Sequence, residues 1–364
     1  MAVKVSRKDA EDKIGDNVAI MSKEELNTQS HSVRSGQTVV IVDRGFAGTP
    51  AAVAILERAG LNVIVSPATD DDEVRAAVRD ADGIIDNGPL SRELIESLTR
   101  CKVIARSSIG MDTVDSRDIA TAKGIVLCNM PGIIEEEVAD QTMALLLCVA
   151  RRMLTLDRYV REGDWARGVS TGEVHIPRLV GSKLGLVGLG GIGQALARRA
   201  AGFGFQIAAH DPFLPSGMFT EFGAKQVTLG EIFQDSDFVS LHVPLTPQTH
   251  HLVGERELKL MHRSAILINT SRGPVVDEQA LVSALEEGLI AGAGLDVMEE
   301  EPIDADHPLC RLPNVVLAPH CASRSKWTDE ERHVRPAQEV AAVLAGLRPR
   351  AVWNPEVLQR VNLR

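Results

Sequence analysis

The chain has 364 residues, 44% hydrophobic and 24% charged, which suits about two soluble globular domains. A formal net charge of −11 argues against a nucleic-acid surface, and five scattered cysteines without C-x-x-C spacing argue for a reducing compartment and against a metal site. No apolar run reaches membrane-spanning length, and Lys4, Arg7, Lys8, Asp9, Glu11 and Asp12 arrive before any apolar core of a signal peptide, so no membrane contact and a cytoplasmic location are expected.

Residues 1–36 are polar and aperiodic and read as a mobile extension. Thr38–Val42 reads as a buried strand closed by Asp43-Arg44-Gly45, then Pro50–Ala59 as a helix and Asn62–Val65 as a strand. The acidic run Asp70–Asp72 reads as surface. Strand and helix keep alternating through Gly83–Asp86, Arg92–Leu98, Lys102–Ala105 and Ile125–Cys128, the rhythm of an α/β domain with a parallel sheet. From Glu136 to about Val160 the pattern predicts one long helix, with Val138, Thr142, Leu145, Leu146, Val149, Met153, Leu156 and Val160 on one face. A helix of that length is expected to bridge two domains or two subunits. A loop over 162–180 follows.

The stretch Lys183–Asp211 organises what comes next. A short apolar strand, Leu184–Val187, runs into Gly188-Leu-Gly190-Gly191-Ile192-Gly193, then a helix from Gln194 to about Phe203 and a second strand, Gln206–Ala209, ending at His210-Asp211. Gly188 makes the tight turn, Gly190 admits a pyrophosphate against the backbone, and Gly193 lets helix and strand pack closely. The pyrophosphate would sit on free N–H groups at the helix start. Asp211, 18 residues beyond Gly193, is placed to accept ribose hydroxyls, and its charge would repel a 2′-phosphate, so NAD is the expected cofactor.

Further strands are expected at Phe238–Leu241, Ala265–Asn269, Gly292–Val297 and Val315–Ala318, with helices around Glu255–Met261 and Asp277–Glu287 and a helical tail, Thr328–Gly346, that Pro336 should break or kink. Ligand sites in such sheets lie beyond the carboxyl ends of strands. Three consecutive ends carry Arg272, the acidic run Glu299-Glu300-Glu301 and His320. Reduction of a 2-keto acid by hydride needs an anion clamp, a carboxylate that orients the proton donor, and the donor itself. Spacing alone does not choose among the three glutamates. His250, His251 and Glu255 lack a convergent partner and read as surface.

Over roughly residues 37–357 the chain resembles the D-isomer-specific 2-hydroxyacid dehydrogenases. The resemblance rests on Arg106-Ser-Ser-Ile-Gly-Met-Asp-Thr-Val-Asp115, Gly188–Gly193, Leu241-His-Val-Pro-Leu-Thr-Pro-Gln-Thr249, Asn269-Thr-Ser-Arg-Gly273, Gly294-Leu-Asp-Val297, Glu301-Pro302, Pro319-His320 and Asn354-Pro355. It implies two doubly wound parallel-sheet domains: a flavodoxin-like substrate domain built from 37–135 and 326–364, and a Rossmann NAD domain, 136–325, inserted into it. It also implies a two-fold homodimer and interconversion of a D-2-hydroxy acid with its 2-keto acid. Arg272, Glu301 and His320 would be catalytic. Arg106, Ser108, Ile109 and Gly110 would join Arg272 and His320 around the substrate. Gly188, Gly190, Gly191, Ile192, Gly193, Asp211, Val243, Pro244, Thr249, Thr270, Ser271, Asp296, Ala322 and Thr142 would line the NAD site. The family often carries a polar or basic side chain at the Gly191 position, so one phosphate contact is missing. Ser323 stands where some relatives, the C-terminal-binding-protein corepressors among them, place a tryptophan; an NAD-sensing scaffold of that type is the alternative reading.

Overall fold

The structure is a computed structural model that describes residues 36–43, 49–169 and 176–364. The expected N-terminal extension, apart from Gly36, the Arg44-Gly45 closure of the first strand and part of the 162–180 loop lie outside the described residues. The chain divides into two compact units. One ends its first segment at Ser108 and adds Thr113–Met130 and His333–Arg364; the other comprises Ile109–Asp112 and Pro131–Arg332.

The first unit holds a five-stranded parallel sheet in the order β2-β1-β3-β4-β5, with β1 Thr38–Val42, β2 Asn62–Ser66, β3 Gly83–Ile85, β4 Val103–Ala105 and β5 Val126–Cys128. Strands β3, β4 and β5 are buried along their whole length, which is why they read as unbroken apolar runs. The Asp70–Asp72 run caps a helix, Asp71–Val78, that periodicity does not announce: Asp70 accepts the backbone N–H groups of Asp72 (3.0 Å) and Glu73 (2.9 Å). At the sheet's far edge, fully buried Asn354 closes the open side of β5. Its Oδ1 accepts the N–H of Leu127 (2.9 Å), and its Nδ2 donates to Ile125 O (2.9 Å) and Thr121 Oγ1 (3.0 Å). Such an edge would otherwise present unpaired backbone groups.

The second unit holds a seven-stranded parallel sheet ordered β12-β11-β10-β9-β6-β7-β8. Its strands are β6 Lys183–Val187, β7 Gln206–His210, β8 Ala224–Gln226, β9 Phe238–Leu241, β10 Ile266–Asn269, β11 Gly292–Leu295 and β12 Val315–Leu317. The order reverses between β6 and β9, so the loops after these two strands flank the switch point where such sheets bind ligands. Two apolar layers cover the sheet. One joins Leu145, Leu146 and Val149 of the helix Glu135–Ala150 to Leu196 of the helix Gly191–Gly202 and to Phe238. The other joins Ile232, Phe233, Leu258, Leu281 and Leu285 from the helices on the opposite face. Each fully buried phenylalanine contributes roughly 2–3 kcal/mol.

Two expectations are corrected here. The long helix is two helices, Glu135–Ala150 and Met153–Arg161, because Arg152 takes a left-handed conformation (φ 53°) that ends the first. Val138, Thr142, Leu145, Leu146 and Val149 are buried as expected, whereas Met153 and Val160 are exposed. The first of these helices packs on β10, β11 and the helix Gly191–Gly202 of the second unit. Finally, the helix Lys326–Leu344 runs through Pro336 without breaking, held by the buried side chains of Ala337, Val340, Val343 and Leu344.

Asn354→Ala should leave two buried backbone groups of the β5 edge unpaired and lower unfolding free energy by on the order of 3 kcal/mol, measured by urea denaturation. A loss below about 0.5 kcal/mol would show that Asn354 does not close the edge.

Candidate active site

The turn after β6 is built by contact distances. Gly188 is in the left-handed region (φ 96°), and a Cβ there would lie 2.7 Å from the carbonyl oxygen of His242 at the end of β9. A Cβ on Gly193 would lie 2.5 Å from the carbonyl of Gly188. At Gly190, by contrast, a Cβ would meet nothing, so the backbone there borders open space. The helix begins immediately after Gly190 with no side-chain cap, leaving first-turn N–H groups of Gly191, Ile192 and Gly193 for an anion. A dinucleotide pyrophosphate fits this cradle. At Gly191 the space a side chain would need is filled: a Cβ would sit 2.9 Å from Cγ of Glu135, whose carboxylate accepts the N–H groups of Gly132 (2.7 Å) and Ile134 (3.0 Å). That contact leaves little room for a side chain at position 191.

Asp211, just past β7, accepts the N–H groups of Leu189 (3.0 Å) and Phe213 (3.0 Å), which ties the glycine turn to the end of β7. Val243 is half-buried and Pro244 exposed. Thr249 closes their loop, its hydroxyl donating to Pro244 O (2.5 Å) and accepting the N–H of Thr246 (2.8 Å). His242 lies beneath the turn with its ring largely enclosed and Nε2 2.9 Å from Ser240 Oγ; burial pushes its pKa down to about 4.

Three loops meet beyond β10, β11 and β12. Buried Asn269 shapes the first: its Oδ1 accepts both the N–H (3.0 Å) and the hydroxyl (2.8 Å) of Ser271, and its Nδ2 donates to Arg272 O (2.9 Å). Thr270 meets Thr142 hydroxyl to hydroxyl at 2.8 Å; Thr142 is fully buried and also donates to Val138 O (2.6 Å). Thr142 therefore supports Thr270 from beneath. A Cβ on Gly273 would overlap the carbonyl of Met298, so the second loop lies directly on the first. Asp296, fully buried, accepts the N–H groups of Cys321 (3.0 Å) and Ala322 (2.9 Å) and fixes the third.

Within this frame the three glutamates separate. Glu301 accepts the N–H of Met298 (3.1 Å) with Oε1 and holds His320 Nδ1 at 2.7 Å with Oε2. Glu299 turns away to His251 Nε2 (2.5 Å), and its N–H donates to Glu278 Oε2 (3.1 Å). His251, expected to lack a partner, is thus part of the brace under the acidic loop. His320 itself has a left-handed backbone (φ 49°) and donates its N–H to Asp296 O (2.7 Å). Arg272 is part-exposed; its Nη1 donates to Ser271 O (2.7 Å), and its Nε and Nη2 face Asp112.

Arg106 behaves differently from its expected place at the substrate. It is buried, and its guanidinium donates to Gly88 O (2.5 Å), Asn87 O (2.8 Å) and Thr113 Oγ1 (3.0 Å), bracing the loop that bears Ser108. Ile109 and Gly110 group with the second unit, and a Cβ on Gly110 would fall on Nη2 of Arg272. Asp112, Asn269, Glu135 and His242 were not singled out from sequence. Each acts through backbone or side-chain geometry that no local spacing encodes, although three of the four stand inside the quoted motifs.

With that geometry established, the comparisons define the class. Residues 143–322 match the family model of the D-isomer specific 2-hydroxyacid dehydrogenase NAD-binding domain. A glyoxylate reductase of Korarchaeum cryptofilum is 44% identical over 284 residues, spanning 78% of this chain and 85% of that one. A D-3-phosphoglycerate dehydrogenase of Methanocaldococcus jannaschii is 37% identical over 298 residues, 81% of this chain and 56% of the relative. The D-lactate dehydrogenase of Aquifex aeolicus, solved with NAD and lactic acid, superposes with a TM-score of 0.76 at 27% identity, covering 89% of this chain and 98% of that one. The chain belongs to the D-isomer specific 2-hydroxyacid dehydrogenase family. It is an NAD-dependent dehydrogenase with a Rossmann-type NAD-binding domain. No helix among the described residues is long and apolar enough to cross a membrane.

Buried neutral His242 makes stability pH-dependent. Its folded pKa of about 4 lies below the ordinary 6.5, so its stabilisation is complete above about pH 6.5 and is lost as pH falls toward 4. Between pH 7 and 4.5 the loss should be about 2 kcal/mol. Urea unfolding of His242→Gln should show a pH dependence flatter by that amount; an unchanged acid limb would contradict the assignment.

Proposed function

We propose that the protein reduces a small 2-keto acid of the glyoxylate class to the D-2-hydroxy acid with NADH, and runs the reverse oxidation. The observation that carries this reading is the Glu301–His320 pair. With Nδ1 held at 2.7 Å, the tautomer is fixed and Nε2 is left as the proton-carrying atom. In the productive direction Nε2–H donates to the carbonyl oxygen as charge builds there; in reverse, neutral Nε2 takes the hydroxyl proton. Glu301 orients the ring and stabilises the imidazolium. Arg272 binds the carboxylate and, with backbone N–H groups of Ile109 and Gly110, turns the keto group toward His320. NAD(H), when bound, supplies or accepts the hydride. The relatives named glyoxylate reductase favour a small keto acid over a bulky one. Residues 37–135 and 326–364 take the substrate-binding role and 136–325 the cofactor role, limits that differ from those of the two compact units at 109–112, 131–135 and 326–332. Val243, Pro244, Thr249, Thr270, Ser271, Asp296 and Ala322 form or support the nicotinamide and ribose side.

The test is NADH oxidation against a panel of 2-keto acids. His320→Ala should lose roughly 10²- to 10⁴-fold in turnover while NADH binding, read by fluorescence, is retained. Arg272→Lys should lose on the order of 3 kcal/mol in kcat/KM, because lysine lacks the planar fork. Near-normal turnover of His320→Ala on an accepted keto acid would refute the assignment.

The same reading extends to assembly. Met153 (50% exposed), Leu154 (57%) and Trp165 (67%) form an apolar set on the helices Met153–Arg161 and Trp165–Val169, which a two-fold homodimer would cover. Light scattering at micromolar concentration should give a dimer mass, reduced toward the monomer in Leu154→Glu/Trp165→Glu; a monomeric wild type would end this proposal.

A further inference from the structure

Arg272 presents five N–H donors, and the structure accounts for three of them. Its Nε lies 3.2 Å and 3.3 Å from the two oxygens of Asp112, and its Nη2 lies 3.0 Å from Oδ1. Nη1 donates to the carbonyl of Ser271 at 2.7 Å. The side-on edge of the guanidinium is thereby engaged by a carboxylate of the protein. One N–H on each of Nη1 and Nη2 is left beyond these contacts, a pair of donors for the two oxygens of a carboxylate. The backbone agrees. A Cβ on Gly110 would land on Nη2, so the loop Ile109–Asp112 lies flat against the guanidinium. That loop groups with the unit that carries Arg272.

We propose that Asp112 is a positioning residue for Arg272, resting on the assignment of Arg272 as the substrate clamp. The Arg272–Asp112 pair is part-exposed on both sides, 31% and 26%, so its worth to folding is small. Its worth lies in orientation: an arginine side chain free to rotate loses considerable entropy on binding, and Asp112 removes that loss beforehand by locking the fork's direction. Asp112 also offsets the positive charge, so a lone anion gains little at Arg272, whereas a bidentate one gains both N–H bonds.

The experiment compares wild type, Asp112→Ala, Asp112→Asn, Arg272→Lys and the Asp112→Ala/Arg272→Lys double variant for KM, kcat and NADH binding. Asp112→Ala should raise KM for the keto acid about tenfold or more, with a smaller fall in kcat and unchanged NADH binding. Asp112→Asn, which keeps one acceptor oxygen, should restore part of the loss. The double variant should be no worse than Arg272→Lys alone, since Asp112 acts through the arginine. If Arg272→Lys itself retains wild-type kinetics, the clamp assignment fails. If Arg272→Lys is crippled while Asp112→Ala and Asp112→Asn both match wild type, or if the two losses multiply in the double variant, Asp112 does not position Arg272 and the proposal is overturned.

Discussion

The second unit depends on one close approach: backbone lying on backbone where β6 ends beside β9. Gly188 passes so near the carbonyl of His242, and Gly193 so near Gly188, that neither position has room for a Cβ. Only that contact lets the helix start next to the strand's carboxyl end and turn its free N–H groups outward. His242 completes the arrangement from below. A histidine kept neutral by burial adds no positive charge under the turn.

The chemistry-bearing loops follow the same logic of mutual bracing. Gly273 seats the 298–301 loop, Asp296 ties down Cys321 and Ala322, and Glu301 spans from the Met298 N–H to His320. Each loop is fixed by its neighbour. Three consecutive parallel strands thus hold Arg272, Glu301 and His320 with little freedom, the preorganisation that the roles proposed for them require. Charge pairs with solvent access, such as His251 with Glu299, serve the loop's conformation more than its stability.

Much of this was legible in the sequence, and what was not has a physical pattern. Fully buried strands read as short apolar runs bounded by turn residues, so every strand but the mostly exposed edge strand β8, and the glycine turn, emerged with their ends nearly in place. Local periodicity did not reveal the left-handed residue that splits the long helix at Arg152, because the apolar face continues in register across the break. It could not see that Pro336 would be tolerated, since buried neighbours outweigh propensity there. The strand ends named Arg272 and His320, while the choice of Glu301 needed resemblance first and then the 2.7 Å contact. Arg106 and Asp112 stand six residues apart in one motif, yet the first faces into its own unit and the second reaches an arginine 160 positions away. Separations of that kind leave no trace in spacing.

The backbone of His320 adds a thermodynamic asymmetry to the site. A left-handed conformation at a non-glycine residue opposes folding by roughly 1–2 kcal/mol, and here it persists because Asp296 holds the peptide on both sides of the ring-bearing residue. Glycine at this position would be relieved of that opposition and alanine would not. Selection for stability alone would therefore drift toward the one residue that cannot carry a proton. Histidine at position 320 stands against the preference of its own main chain, a cost that its proposed proton-carrying role would offset.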